Sequence, residues 1–162
     1  MAITEGDRLP DVDLLRMGED GPEPVSLQSL ARGRRIALFA VPGAFTGTCT
    51  TAHVPSFIHT REGFREKGVE EVVCVAVNDP FVLRAWGEQT GAAAAGIEML
   101  ADAGGAFTRA VGMDFDLPSR GFHGRSRRYA MIVEDGVVRT LHVEESPGVC
   151  ERSGGEALLA TL

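Results

Sequence analysis

The sequence predicts an α/β fold, with a central mixed β-sheet flanked by helices. Residues 36–41 and 72–77 are continuous apolar runs of strand length, and such runs are typical of strands buried on both faces. Each run leads through a loop into a segment with helical spacing. Residues 129–133 and 137–143 flank an Asp-Gly pair, which favours an antiparallel hairpin. Alternating strands and helices that end in a hairpin predict a mixed sheet.

Length and composition favour a single domain over residues 1–162. The chain is 44% apolar and 24% charged, which is enough apolar material for a sizeable core. Its net charge of -7 argues against nucleic acid as a partner, because polyanions bind to basic surfaces. No run is long and apolar enough to span a membrane, and residues 1–10 lack the apolar stretch of a signal peptide. We therefore expect a cytoplasmic protein without membrane attachment.

The N-terminal part of the chain is expected to lead into the first buried strand. The first thirty residues are rich in glycine and proline, so we predict turns with one short strand at residues 11–15. The first buried strand ends at Pro42, and apolar residues at helical spacing then predict a helix over residues 50–67. Gly68 is a natural end for this helix.

The strand and helix pattern continues in the second half of the chain. An Asn-Asp-Pro sequence supplies cap residues and an early proline for a helix over residues 81–89. A short strand at residues 98–101 and a helix over residues 105–111 follow. An irregular, arginine-rich stretch separates them from the hairpin, and a short helix over residues 153–162 closes the chain.

Cys49 is the residue with the clearest chemical potential. It ends the sequence PGAFTGTC, at the junction between a strand and a helix, and the N–H groups and partial positive charge of a helix N-terminus stabilise a thiolate. Thr46 stands three residues earlier, so the pair resembles a redox Cys-x-x-Cys in which a hydroxyl replaces the first thiol. Residue types alone leave two alternatives open, a reactive thiol and a small buried apolar side chain.

Four arginines fall within nine positions before the predicted hairpin. A charge run is usually a solvated loop, which is our expectation for Arg120, Arg125 and Arg127. Arg128 differs because it opens the predicted strand at residues 129–133 and is therefore held by the sheet. A fixed guanidinium beside a thiol would stabilise the thiolate and direct N–H donors at an oxygen-containing substrate.

The segments PGAFTGTC, AHVP, VAVNDPFVLRAW and RRYAMIVEDGVV, in this order and spacing, resemble the type II peroxiredoxins of the peroxiredoxin-5-like group. The resemblance covers nearly the whole chain. It implies a single thioredoxin-like domain with an extra N-terminal segment. It also implies a peroxidase that reduces hydrogen peroxide and organic hydroperoxides without a metal or bound cofactor, in antioxidant defence and cell redox homeostasis.

The resemblance assigns roles to individual residues. Cys49 becomes the peroxidatic cysteine, whose thiolate is oxidised to a sulfenic acid. Thr46 becomes the hydroxyl that orients the peroxide, Pro42 shields the thiolate, and Arg128 is the activating guanidinium. A thiolate that attacks one peroxide oxygen leaves negative charge on the other, so donors aimed at that charge lower the barrier.

The backbone N–H groups around the cysteine complete the implied site. The N–H of Cys49, with that of Gly47 or Thr48, is expected to hold the peroxide oxygens. Gly47 departs from the family pattern, because proline is frequent at its position. Glycine makes local unfolding of this loop easier, which helps to present a sulfenic acid to a reductant.

Two other cysteines are candidates for resolving that sulfenic acid. Cys74 lies inside an apolar strand and is expected to be packing, although its spacing from Cys49 resembles the second cysteine of plant members. Cys150 lies in a turn-rich loop that we expect to be exposed. In animal members a cysteine in this region forms a disulfide with the peroxidatic one, but the loop here is shorter. The third route is external, with glutathione and glutaredoxin or thioredoxin as electron donor.

Other classes of function fit single features of the sequence. His53 is one helical turn beyond Cys49, as in a Cys-His hydrolase pair, but no third orienting residue is apparent. A metal site is not expected, because it needs three or four ligands. A redox switch without turnover would use the same Cys49 thiol, and catalytic turnover with a reductant separates it from a peroxidase.

The resemblance also implies a homodimer. Members of this group commonly pair through the face around the active-site loops. The aromatic residues expected to contribute apolar contacts there are Phe45, Phe81, Phe115 and Phe122. Trp86, on the helix after Pro80, is expected in the core or at the dimer surface.

Overall fold

Seven strands form a central mixed sheet in the computed structural model, which describes residues 2–162. A separate two-stranded sheet lies beside it. The strands are β1 (Asp13–Gly18), β2 (Gly21–Ser26), β3 (Arg35–Val41), β4 (Glu71–Ala76), β5 (Ile97–Ala101), β6 (Asp114–Leu117), β7 (Phe122–Ser126), β8 (Tyr129–Glu134) and β9 (Val137–Val143). The helices are α1 (Leu27–Ala31), α2 (Val54–Glu66), α3 (Pro80–Thr90), α4 (Ala106–Ala110) and α5 (Gly155–Leu159).

The order of strands in the main sheet is β2-β1-β5-β4-β3-β8-β9. The neighbours β5, β4 and β3 run parallel, whereas the outer pairs are antiparallel. This is the predicted α/β architecture, and it is the thioredoxin-like fold of a central mixed sheet flanked by helices. Within residues 2–162, no helix has the length and apolar character needed to cross a membrane.

The two central strands have apolar side chains on both faces, as their continuous apolar runs predict. In β3, Phe39 points to the same side as the buried side chains of α2, α3 and α5, while Leu38 points to the side covered by α1 and α4. The ring of Phe39 stacks on Phe57 at 4.1 Å, and Phe57 stacks on Phe64 at 5.7 Å. These stacked rings fix α2, and with it the preceding turn, over the end of β3.

Two segments differ from the predictions. The N-terminal segment is a hairpin of two six-residue strands, β1 and β2, not a lead-in with one short strand at residues 11–15. Its prolines, Pro22 and Pro24, obscure the strand in the sequence, but β2 is an edge strand, where a missing N–H is tolerated. The arginine-rich stretch is likewise not irregular, because β6 and β7 pair there around a 3₁₀ turn at Pro118–Arg120.

Most other element predictions are confirmed. Asp79 caps α3 by accepting a hydrogen bond from the N–H of Val82 at 2.9 Å. Asp135 and Gly136 both have positive φ, 48° and 78°, as the turn of a two-residue β-hairpin requires. The C-terminal helix α5 is shorter than the predicted 153–162. The short helix α1 was not predicted.

Candidate active site

Cys49 lies in the segment that connects β3 to α2, on the side of the sheet covered by α2, α3 and α5. The chain leaves β3 at Pro42 and is helical from Gly47 onward. Thr50 N–H donates to the carbonyl of Thr46 at 3.1 Å, so Thr46 caps this helical segment and Cys49 is its third residue. The backbone N–H of that position has no acceptor within the helix. The sulfur is fully buried.

The turn that begins at Cys49 is unusually wide. Residues Cys49–His53 form a π-helix, and the N–H of Val54 bonds to the carbonyl of Cys49. The physical cause is Pro55, because proline lacks an N–H and its ring crowds the carbonyl four residues earlier in an ordinary α-helix. π-turns of this kind occur frequently at functional sites. The predicted helix is therefore confirmed, with a different first turn.

Arg128 supplies the strongest contact to Cys49. It stands immediately before β8, and its Nη2 lies 3.1 Å from the sulfur of Cys49. The same guanidinium donates to the carbonyl of Pro147 from Nη2 at 2.8 Å and from Nε at 3.2 Å. Its Nη1 lies 2.9 Å from Nδ1 of His53. These partners fix the planar guanidinium in one orientation toward the sulfur.

The positive charge of Arg128 has no carboxylate partner among residues 2–162, since the nine ion pairs there involve other side chains. Its side chain is only 2% exposed. A buried cation is costly unless an anion compensates it. The group in contact with Arg128 that is able to carry a negative charge is the thiol of Cys49. Arg128 therefore directs an uncompensated positive charge at the sulfur of Cys49.

His53 holds Arg128 from the other side. A guanidinium has donors only, so Nδ1 of His53 must accept from Arg128, and the ring proton sits on Nε2. Nε2 then donates to the carbonyl of Ser153 at 2.9 Å. Both ring nitrogens are thus occupied, and neither serves as a general base for Cys49. The arrangement does not support the Cys-His hydrolase alternative.

The buried state of His53 predicts an acid-sensitive fold. Burial, followed by the positive charge of Arg128, lowers the pKa of His53 to about 3. The unfolded chain takes up this proton near its ordinary pKa of about 6.5. The contribution of neutral His53 to the free energy of unfolding is therefore fully present above pH 6.5. It declines as the pH falls toward 3, by at most about 1.4 kcal/mol per pH unit.

Urea unfolding between pH 7.5 and 4 measures this dependence. We expect His53→Gln to flatten the decline in the free energy of unfolding below pH 6.5. The matched control is His59→Gln, an exposed histidine on the same helix, which should keep the wild-type slope. Equal slopes in the two variants would contradict the prediction.

The loop between β3 and the π-turn shapes the approach to Cys49. Pro42 is buried, and its carbonyl accepts from Nη1 of Arg125 at 3.0 Å. Gly43 has to be glycine for this contact, because a Cβ there would overlap the Arg125 guanidinium. The hydroxyl of Thr46 donates to the carbonyl of Gly43 at 2.6 Å. Its lone pairs therefore remain available to accept a hydrogen bond from a substrate.

The arginine-rich segment is more structured than a solvated loop. Arg120 is exposed as expected, whereas Arg125 and Arg127 are half-buried. Arg125 lies over the ring of Phe122 at 5.3 Å as well as against Pro42. Arg127 approaches the carbonyl of Glu144 at 3.4 Å. The expectation of solvated side chains is wrong for these two arginines, because β7 directs Arg125 at the carbonyl of Pro42 and Arg127 packs toward the end of β9.

The loop before Cys150 is mostly exposed, as predicted, whereas Cys150 itself is half-buried. The loop before it is pinned to the site, because Arg128 donates to Pro147 and the hydroxyl of Thr48 donates to the carbonyl of Gly148 at 2.9 Å. Burial raises the pKa of the Cys150 thiol. A raised pKa makes the Cys150 thiol less nucleophilic, because the thiolate is the attacking form.

Cys74 is fully buried in β4 and belongs to the same core cluster as Cys49. Burial, followed by the proximity of Cys49, raises the pKa of the Cys74 thiol well above its ordinary value. Cys49, Cys74 and Cys150 are all unpaired. Within residues 2–162, no three His, Cys, Asp or Glu side chains are grouped to hold a metal ion.

The structure also brings to the site residues that the sequence did not single out. Ser153 and Glu144 are buried next to the Cys150 loop and share hydrogen bonds there. In the sequence, His53 stands out only through its spacing from Cys49. No local pattern points to Glu144, because it stands beside a second glutamate just after β9 and carboxylates are seldom fully buried.

The chain is similar to known proteins both in sequence and in fold. The family model described as Redoxin matches residues 4–159. The chain is 43% identical to Peroxiredoxin-2E-2, chloroplastic, of Oryza sativa subsp. japonica, over 99% of this chain and 72% of that protein. It is 41% identical to the rice Peroxiredoxin-2C over 99% of this chain and 98% of that protein. The crystal structure of reduced Prx3 from Vibrio vulnificus in complex with hydrogen peroxide has a TM-score of 0.90 and 43% identity, and 98% of each chain is covered.

Proposed function

The chain belongs to the redoxin family and is a type II peroxiredoxin, a thiol-dependent peroxidase, and we propose that the thiolate of Cys49 is its peroxide-reducing group. The observation that carries this proposal is the buried guanidinium of Arg128, 3.1 Å from the sulfur and without a carboxylate partner. Such a cation stabilises the anionic nucleophile and also the charge that forms on the departing oxygen.

The first step is an in-line displacement on the peroxide. The sulfur of Cys49 forms a bond to one peroxide oxygen, and the O–O bond breaks with its electron pair going to the other oxygen. That oxygen leaves as alkoxide or hydroxide and takes up a proton to become an alcohol or water. The products on the protein side are a sulfenic acid at Cys49 and the unchanged Arg128 cation.

The surrounding groups are suited to holding the peroxide in line with the sulfur. The hydroxyl of Thr46 has lone pairs free to accept the peroxide hydrogen. The N–H groups at the helix start, those of Cys49 with Gly47 or Thr48, point donors at the oxygens. Pro42, which is buried directly after β3, is assigned the role of shielding the thiolate. The Vibrio vulnificus relative was crystallised with hydrogen peroxide, which supports the same substrate here.

The second step returns the sulfenic acid to a thiol. We propose that an external thiol, glutathione with glutaredoxin or thioredoxin, condenses with the sulfenic acid to a mixed disulfide and water. A second external thiol then releases the Cys49 thiol and an oxidised disulfide. Burial raises the pKa of both the Cys74 and the Cys150 thiol, which supports this external route because a thiol attacks as its thiolate. Cys150 is the optional resolving residue, and Cys74 is the weaker candidate.

The recycling route predicts that a variant with Cys74→Ala and Cys150→Ser keeps turning over. We expect a dimedone adduct on Cys49 after one equivalent of hydrogen peroxide, found by peptide mass spectrometry. We also expect steady-state consumption of many equivalents of peroxide with glutathione and glutaredoxin or with thioredoxin. If turnover with every external thiol system vanished in this variant, an intrinsic resolving cysteine would be required.

The same assay separates a peroxidase from a redox switch. A switch consumes one equivalent of peroxide per chain and stops, whereas an enzyme continues as long as the reductant lasts. An unreactive Cys49 in the wild-type protein would remove the proposed function altogether.

Two exposed aromatic side chains bear on how the protein assembles. Phe45 and Phe81 are the large apolar side chains most exposed to solvent, at 49% and 62%, and Phe45 borders the Cys49 loop. We propose that they lie in a homodimer interface, whereas Phe122 is buried within the chain. Sedimentation velocity at micromolar concentration measures this, and a monomer would contradict it. A cytoplasmic location is proposed because the cycle needs a reduced Cys49 and thiol donors.

A further inference from the structure

Glu144 is a buried carboxylate that the reaction scheme does not use. It follows β9, and its side chain belongs to a residue only 3% exposed. Its Oε2 accepts from the N–H of Glu151 at 2.8 Å and from both the N–H and the hydroxyl of Ser153 at 2.7 Å. Burying a carboxylate is costly unless donors satisfy it, and three donors converge here. The position of this charge is therefore closely defined.

A continuous chain of hydrogen bonds leads from Glu144 to the reactive sulfur. Ser153 is fully buried, and its carbonyl accepts from Nε2 of His53 at 2.9 Å. Nδ1 of His53 accepts from Arg128 at 2.9 Å, and Nη2 of Arg128 lies 3.1 Å from the sulfur of Cys49. A backbone hydrogen bond links the two ends of this chain directly, because the N–H of Glu144 donates to the carbonyl of Arg128 at 2.9 Å.

We propose that Glu144 is a positioning residue for the peroxidase reaction: through Ser153 and His53 it holds the guanidinium of Arg128 against the sulfur of Cys49. The inference rests on the proposed function and adds a residue to it. Arg128 has no carboxylate of its own, so its orientation depends on neutral acceptors. Of these, His53 is oriented by Ser153, and Ser153 is fixed by Glu144. Linked bonds in a buried network strengthen one another.

The same carboxylate also holds the segment that carries Cys150. Arg128 and Thr48 bind this segment before Cys150, and Glu144 binds it after Cys150, through Glu151 and Ser153. The guanidinium and the Cys150 segment are therefore kept in place by one network. Weakening the hydrogen bonds to Glu144 should therefore make both the Arg128 guanidinium and the Cys150 segment more mobile.

The variant Glu144→Gln tests the proposal, because it keeps the side-chain shape but removes the charge and part of the acceptor capacity. Single-turnover oxidation of Cys49 by hydrogen peroxide is followed by the fluorescence of Trp86, the one tryptophan of the chain, whose Nε1 bonds to Thr50 beside Cys49 at 3.0 Å. We expect the second-order rate constant to fall at least about fivefold, the range of one lost buried hydrogen bond. We also expect the pH profile of Cys49 alkylation by iodoacetamide to move to higher pH.

The matched control is Glu145→Gln, the neighbouring carboxylate with an 82% exposed side chain, which should leave both measurements unchanged. A folded Glu144→Gln variant with the wild-type rate and alkylation profile would overturn the inference. So would a lower melting temperature with an unchanged alkylation profile, because that is the signature of a purely structural role.

A second variant decides the matter if Glu144→Gln does not fold. Ser153→Ala removes one of the three donors to Glu144 but keeps the carbonyl that binds His53, so a smaller change in the same direction is expected, and no change would overturn the proposal. Failure of the wild-type protein to oxidise Cys49 contradicts the proposed function, whereas equal rates in a reactive wild-type protein and both variants contradict the role of Glu144 alone.

Discussion

Replacing Arg128 with methionine is expected to slow the oxidation of Cys49 by hydrogen peroxide about 10²- to 10³-fold, the range found when one preorganised donor to a developing charge is removed. The reason is that Arg128 stabilises both the attacking thiolate and the departing oxygen. Methionine has a similar length and fills the same buried space. Stopped-flow measurement of single-turnover oxidation, with the fluorescence of Trp86 as signal, gives the rate constant.

The fold should withstand this change much better than the reaction does. Removing a buried charge stabilises the folded state. The acceptors on Pro147 and His53 lose their donors, however, and this destabilises the folded state. These terms have opposite signs, so the free energy of unfolding should change by no more than about 2 kcal/mol. Urea unfolding measures it.

Two controls make the Arg128 prediction specific. Arg128→Lys keeps the charge but cannot reach Cys49, His53 and Pro147 with one ammonium group, so its rate should fall between those of the wild type and Arg128→Met. Arg120→Met removes an exposed arginine and should leave the rate unchanged. A wild-type rate in Arg128→Met would show that the buried guanidinium plays no part in the reaction.

The second large effect concerns Cys49 itself. Cys49→Ser is expected to reduce peroxide turnover to the background of the reductant alone, because a serine hydroxyl is neither a thiolate nor able to form a sulfenic acid. Peroxide consumption with glutathione and glutaredoxin, and with thioredoxin, measures the loss.

The matched control for this prediction is Cys74→Ala, at the other fully buried cysteine of the same core cluster. It should retain single-turnover oxidation at Cys49, because Cys74 is not among the residues that hydrogen-bond the sulfur or Arg128. Residual turnover in Cys49→Ser above the reductant background would mean that another cysteine reacts with peroxide.

Much of the fold was predictable because each central element carries its own pattern. The continuous apolar runs of β3 and β4 indicate burial on both faces, and the Asp-Gly pair indicates the position of the turn in the last hairpin. The edge hairpin of β1 and β2 carries no such pattern, since prolines interrupt it and one side of β2 is unpaired. The β6 and β7 hairpin is polar and short. Both depend on contacts with distant parts of the chain.

Local patterns in the sequence were enough to single out the residues to which we assign the chemistry: a cysteine at a strand-to-helix junction, a threonine three positions before it, and an arginine at the start of a strand. No local pattern shows that Cys49 and Arg128, 79 positions apart, lie in hydrogen-bond contact, and this follows only from the folded chain. The same holds for the lowered pKa of His53 and for the place of Glu144 at the end of the network. The physical reason is that periodicity and caps describe one element at a time, whereas burial and pairing of charge depend on where separate elements meet.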